Sequence, residues 1–337
     1  MRRGAGIPVL VALVALVLTA CSGGGAERSA WNDDLSKNDG RLKVVTSVAP
    51  ISDIVRNVGG ERIALRGIIP DGVDSHTFEP KPSDAKVLAQ ADLIILNGLH
   101  LEEPTLKLAE ANKKPGAEIK LLGENTISER DWIFDFSFPK EKGDPNPHLW
   151  MNPKYALRYA ELTAQWLAEK DPQNAGYYNA NLERYRALLT QLDAGIRQAV
   201  QTVPEKNRKL VTYHDSWAYW AREYGWTVIG AVQPSDFKEP RPQEVAAIIE
   251  QIKREQVPAI FGSEVFPSKV LEQIARETGA KYIDKLRDDE PPGKPGDSNH
   301  TYVGMMLEDM RIMISALGGS VEALKDINPG RTYLPAK

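Results

Sequence analysis

At 337 residues the chain is long enough for a large buried core and for two domains. Its apolar share of 42% and charged share of 26% exclude a disordered chain and a multi-span membrane protein. The net charge of −4 is a mild acidic bias that speaks against nucleic acid as a partner.

Arg2 and Arg3 open the chain, and an apolar run follows from Ile7 to Leu18. That run falls short of the ~20 residues a membrane-spanning helix needs, so residues 1–20 read as a secretory leader. It ends Leu18-Thr19-Ala20-Cys21, and Cys21 is the only cysteine, which excludes an internal disulfide. The pattern resembles the bacterial lipobox. Cys21 would then be the lipid-modified first residue of the mature protein, held to the outer face of the membrane. Residues 21–40 are small, polar and aperiodic, as suits a flexible tether.

Residues 41–173 read as an α/β lobe. Leu42–Thr46 is a strand, Pro50–Val58 a helix stopped by Gly59-Gly60, and Ile63–Ile69 a second strand. The polar turn Asp74-Ser75-His76-Thr77-Phe78-Glu79-Pro80 follows. A helix capped by Ser83 runs to Ala91. Leu93–Asn97 is a continuous apolar run, as in a strand covered on both faces. Leu106–Ala111 is a helix and Ile119–Leu122 a strand. Strands alternating with helices imply a parallel sheet with right-handed crossovers.

A loop from Asp131 to Pro147 delivers His148, and a helix spans Lys154–Glu169. Asp171-Pro172 breaks it. Beyond lies the longest helical pattern, Asn174 to Gln201, with Tyr178, Leu182, Tyr185, Leu189, Leu192, Ile196 and Val200 at three- and four-residue steps. At about 1.5 Å per residue it reaches ~40 Å, so residues 174–203 read as a rigid link between two lobes.

Residues 204–325 repeat the alternation. Lys209–Tyr213 is a strand ending at His214, Ser216–Tyr224 a helix, Thr227–Ala231 a strand, and Glu244–Glu255 a helix. Ala259–Gly262 is a strand, Ser268–Thr278 a helix and Tyr282-Ile283 a short strand. The loop Asp288–Asn299 leads into a closing helix, Tyr302–Leu317, and residues 326–337 form a tail. Ligands in such folds bind at strand ends, in the cleft between lobes.

Histidine is scarce, with five in the chain. His76, His148 and His214 each follow a strand or loop end in different thirds of the chain. Neutral imidazole is the commonest transition-metal ligand, and three of them with a carboxylate close a tetrahedral shell. One reading is that these turns meet at a single metal ion. Spacing alone leaves three unrelated histidines equally open. His100 and His300 read as surface or capping residues. There is no HExxH, no CxxC and no Ser-His-Asp signature, and Gly59-Gly60 and Gly318-Gly319 lack a phosphate-binding pattern.

Gly72-Val73-Asp74-Ser75-His76-Thr77-Phe78-Glu79-Pro80-Lys81-Pro82-Ser83-Asp84 closely resembles the first metal-ligand motif of the zinc/manganese solute-binding proteins of ABC importers. Pro147-His148-Leu149-Trp150-Met151-Asn152-Pro153 looks like the second motif, and Tyr213-His214-Asp215-Ser216-Trp217-Ala218-Tyr219 like the third. Asn97-Gly98-Leu99 with Leu101-Glu102 is also similar, although His100 stands where the family often has a small residue. The resemblance runs from about Val44 to Leu317. It implies two α/β lobes bridged by one long helix, with a metal in the cleft between them. It also implies a fourth ligand, an aspartate in the last loop. Aligning on Leu286 makes this Asp289, with Glu290 and Asp288 as alternates. Glu79 and Glu264 resemble positions close to the site that support it without ligating.

The resemblance implies capture of a divalent metal and its delivery to an ABC permease, by a monomer on the extracytoplasmic face. A nitrogen-rich shell of His76, His148, His214 and Asp289 favours Zn2+ over Mn2+, and manganese-specific relatives tend to carry a carboxylate where this chain has His214. The loop before His148 lacks the His-rich tract of some zinc members. Two other classes compete: a zinc hydrolase or hydratase with an open coordination position, and a surface adhesin.

Overall fold

The computed structural model describes Met1, residues 30–265 and residues 269–335. The leader expected over residues 1–20 and Cys21 lie outside the described residues, Met1 apart.

The first half opens with β1 (Leu42–Thr46), α1 (Ala49–Gly59) and β2 (Ile63–Gly67). α2 (Pro82–Leu88), β3 (Leu93–Leu96), α3 (Glu103–Asn112) and β4 (Glu118–Leu121) complete its sheet. The strand order is β2-β1-β3-β4 and all pairs are parallel. Val44 lies opposite Leu65 on one side and Leu93 on the other. The apolar run of β3 is buried along its whole length, as a central strand under helices on both faces requires.

α4 (Pro153–Lys170) and α5 (Ala175–Gln201) follow. α5 has 27 residues, about 40 Å of helix, and packs on α4 and α1. Its buried stripe includes the seven apolar residues whose spacing predicts the helix. The second half runs β5 (Lys209–Thr212), α6 (Ala218–Tyr224), β6 (Thr227–Ala231), α7 (Pro242–Glu255), β7 (Ala259–Ser263), α8 (Lys269–Thr278), β8 (Lys281–Leu286) and α9 (Tyr302–Ala316). Its sheet, β6-β5-β7-β8, is again all parallel. The fold is therefore two α/β lobes with one long helix. Among the described residues, no helix is long and apolar enough to cross a membrane.

One core spans the first sheet, α1, α4, α5 and α9, and a smaller one lies around β5, β7 and α7. Asp53 ties distant parts of the first core together. It is fully buried on α1, accepts the Tyr302 N–H at the start of α9 (2.9 Å) and pairs with Arg331 Nε (2.7 Å). The tail continues along this lobe: Thr332 N–H donates to Asn57 and Leu334 N–H to Asn181.

Four expectations need correction. α2 starts at Pro82, with Lys81 as its cap residue in place of Ser83; the Asp84 carboxylate accepts the Lys81 N–H at 2.7 Å. β8 is longer than Tyr282-Ile283, because Lys281 to Leu286 pair with the buried strand β7. Trp31 and Leu35, placed in the flexible tether, are buried against the first lobe. His300, read as a surface or capping residue, is buried and stacked on Trp31 at 5.1 Å.

Candidate metal centre

Three loops at the C-terminal ends of strands converge between the two sheets. In the turn after β2, Asp74 accepts the His76 N–H (3.0 Å) and the Thr77 hydroxyl (2.8 Å), which fixes the turn on its own side chain. His148 sits just before α4. Its loop is supported from below: Asn97 at the end of β3 donates to the Pro147 carbonyl (3.0 Å) and accepts from Tyr159 (2.7 Å). Glu102 takes the N–H groups of Asn97 and Gly98. His214 lies just beyond β5, its carbonyl held by the Thr212 hydroxyl at 2.6 Å.

The three imidazoles meet. His76 Nε2 is 3.1 Å from His148 Nε2, which is 3.0 Å from His214 Nε2, and one nitrogen from each ring lies within 4.8 Å of the others. Two of the rings are oriented by amides. His148 Nδ1 donates to Asn146 Oδ1 (2.8 Å), while Asn146 Nδ2 donates to the Asp215 carbonyl (2.8 Å), so the amide orientation is fixed from both ends. His214 Nδ1 faces Gln233 Oε1 at 2.5 Å. With Nδ1 carrying the proton, the Nε2 lone pairs of His148 and His214 point at each other. Burial, reinforced by the other imidazoles, holds His76 and His148 well below the usual imidazole range, so both are neutral at pH 7.

The acidic loop after β8 closes the site from the second lobe. Glu264 Oε1 accepts the backbone N–H groups of Asp288 (2.9 Å), Asp289 (3.1 Å) and Glu290 (3.2 Å). Asp288 Oδ2 lies 3.5 Å from His214 Nε2. Asp289 Oδ2 accepts the N–H of Ser75, the neighbour of His76, at 3.1 Å. Both carboxyls are buried, and each leaves its Oδ1 without a hydrogen-bond partner. Burial drives both well above the usual carboxylate range, Glu264 adding to the effect at Asp288 and Asp288 at Asp289. Glu290 turns elsewhere, toward Gly72 and Asp71. Trp150 Nε1 donates to the Asp288 carbonyl (2.8 Å), tying the His148 turn to the acidic loop.

His100 stays outside the cluster, partly exposed and paired with Glu103 at 2.9 Å. His300 faces Asp71, with 3.7 Å between Nε2 and Oδ2. Asn146 and Gln233 were not singled out by the sequence. Asn146 stands two residues before His148, where a local cue existed; Gln233 reaches His214 only through the pairing of β5 with β6.

Three inward-facing imidazoles and two buried carboxyls, each with an oxygen that lacks a hydrogen-bond partner, form a donor-rich pocket. This donor set fits a divalent cation, which would sit among the converging nitrogens.

Known proteins agree with this chemistry. A model of the family described as "ZnuA: Zinc-uptake complex component A periplasmic" matches residues 44–316. The metal ABC transporter substrate-binding lipoprotein FimA of Streptococcus parasanguinis is 29% identical over 91% of this chain and 96% of its own length. The manganese-binding lipoprotein MntA of Halalkalibacterium halodurans is 28% identical over 91% of this chain and 97% of its own. The structure of the periplasmic zinc binding protein TroA from Treponema pallidum superposes with a TM-score of 0.75 and 27% identity, covering 82% of this chain and 99% of that one.

Proposed function

We propose that this chain, which belongs to the ZnuA family of zinc-uptake component A proteins, takes Zn2+ as its cargo. Substrate binding for a metal ABC transporter is the function of the family; the ion and its ligands are our reading. The observation that carries the reading is the convergence of three Nε2 atoms, two of them on rings turned inward by amide acceptors.

His76, His148 and His214 are the nitrogen ligands. Asp289 is the fourth: it joins the His76 turn through Ser75 and keeps one oxygen free of protein donors. Asp288, with Oδ2 3.5 Å from the inward-facing Nε2 of His214, is its rival. A shell of three imidazoles and one carboxylate suits zinc, and the Irving–Williams order places zinc above manganese at such a site. Carboxylate ligation also fills the position a hydrolytic zinc centre would keep for water, so the work is capture and delivery with no bond chemistry. Loading links the lobes, since His76 and His148 come from one and His214 and Asp289 from the other. A lipid on Cys21 would keep the protein at the extracytoplasmic face, beside a membrane permease that receives the ion.

Metal analysis of protein purified without added metal, followed by competition between Zn2+ and Mn2+, tests the reading. Retained zinc that excess manganese does not displace is expected; preferential manganese retention overturns the zinc assignment. Asp289→Asn and Asp288→Asn, titrated side by side, decide the fourth ligand: the larger loss of affinity marks it.

A further inference from the structure

The three imidazoles are not held alike. His148 and His214 are buried and each has its Nδ1 against an amide oxygen. The His76 ring, partly exposed, has hydrogen-bond partners among the described residues only at Nε2, where it meets His148. Its orientation rests instead on aromatic rings. Phe237 lies parallel to it, 4.6 Å between centroids and 9° between planes, and Phe138 leans on it at 5.4 Å. The two phenyl rings touch each other at 5.9 Å.

Phe237 reaches this place at a conformational cost. It sits in the turn after β6, its N–H bonded to the Pro234 carbonyl, and its φ is +55°. A bulky residue rarely adopts the left-handed region, and such strain collects at ligand clamps. Phe138, by contrast, is fixed by its neighbour: Ser137 N–H donates to Asp215 (2.8 Å) and its hydroxyl to the Gln233 carbonyl (2.7 Å). A cavity of about 200 Å³ lies outside this cover, lined by His76, Phe138, Phe237 and Ser235; His76 is the one imidazole of the three that reaches it.

We infer that Phe237 is the positioning residue for His76 and the stopper on the ion's way out. The inference rests on the three-imidazole reading above. Stacking keeps His76 Nε2 aimed at the site. A metal-bound imidazole is electron-poor and is attracted to the phenyl face, so the stack is strongest when the site is loaded. When the turn at Phe237 lifts, relieving its backbone, His76 is free to swing into the cavity and the shell opens at one ligand.

The test is the release rate of Zn2+ from the loaded full-length chain into excess chelator, followed by stopped flow. Phe237→Ala releases zinc about tenfold faster, the factor an aromatic pair at the upper end of its range supplies. Phe237→Leu keeps apolar bulk but loses the flat ring, and releases as fast as the alanine variant. Phe237→Tyr restores slow release. Melting temperatures of the metal-free variants should match the parent, separating gating from unfolding. Parental rates in Phe237→Ala, or full rescue by leucine, overturn the inference. A parent chain that takes up no zinc overturns the three-imidazole reading itself, before any variant is compared.

Discussion

His148 and His214 face each other Nε2 to Nε2 at 3.0 Å while each Nδ1 is engaged by an amide oxygen. Two inward-turned imidazole nitrogens at that distance are placed to share one cation. Zinc should therefore stabilise the fold strongly. At a thousandfold excess over Kd, binding adds about 4 kcal/mol. Differential scanning calorimetry with zinc and with chelator should show a large rise in Tm; coincident transitions would contradict a preformed site.

Asn146 orients His148 through its Nδ1 and, on the proposed reading, is not itself a ligand. His214→Ala removes a proposed ligand and should lower zinc affinity by orders of magnitude. Asn146→Ala only frees a proposed ligand, His148, to rotate, and should cost about 10–100-fold. Both proteins should remain folded. Chelator competition gives the affinities, and an unchanged value for His214→Ala would refute its role.

Glu264 gathers three consecutive N–H groups onto one oxygen and so sets the path of the acidic loop. Glu264→Ala leaves those donors without their acceptor. Zinc affinity should fall about 10–100-fold, as for other groups that orient ligands. Glu264→Gln retains an acceptor oxygen and should fall less. Isothermal titration of the two variants ranks them, and the reverse order would refute the positioning role.

Glu102 gives a pH signature remote from the imidazoles. Burial pushes its carboxyl from 4.5 up to about 7, against the two backbone N–H bonds that favour the charged form. The folded state binds this proton more tightly than the unfolded one. The contribution is therefore complete below pH 4.5 and is lost as pH rises through 7. At about 1.4 kcal/mol per pKa unit, the span is on the order of 3 kcal/mol. Urea unfolding of metal-free Glu102→Gln should show a flatter pH profile across that window. A profile parallel to the parent's would exclude Glu102 as its source.

The alternation of strands and helices was legible because buried parallel strands are short apolar runs and amphipathic helices repeat at three and four residues. The stripe on α5 shows this. The three histidines stood out because each follows a strand or loop end. What stayed hidden depends on distant packing. His300 sits in a polar loop, and its burial comes from stacking on Trp31, far away in the chain. Phe237 looks like an ordinary loop residue until the second lobe lays it on His76. Ser83 is a good cap by type, yet α2 starts before it, because Pro82 already has the fixed φ of a first helical residue.

The Arg331–Asp53 pair and the bonds of Thr332 and Leu334 return the last residues to the lobe where the fold began. The polypeptide thus joins the lobes twice, by α5 and by this returning end. A body tied by two connections resists the wide jaw-like swing of a single-hinge clamp. Unloading then falls to side chains and short turns at the rim, and the outline the transporter meets should differ little between full and empty protein.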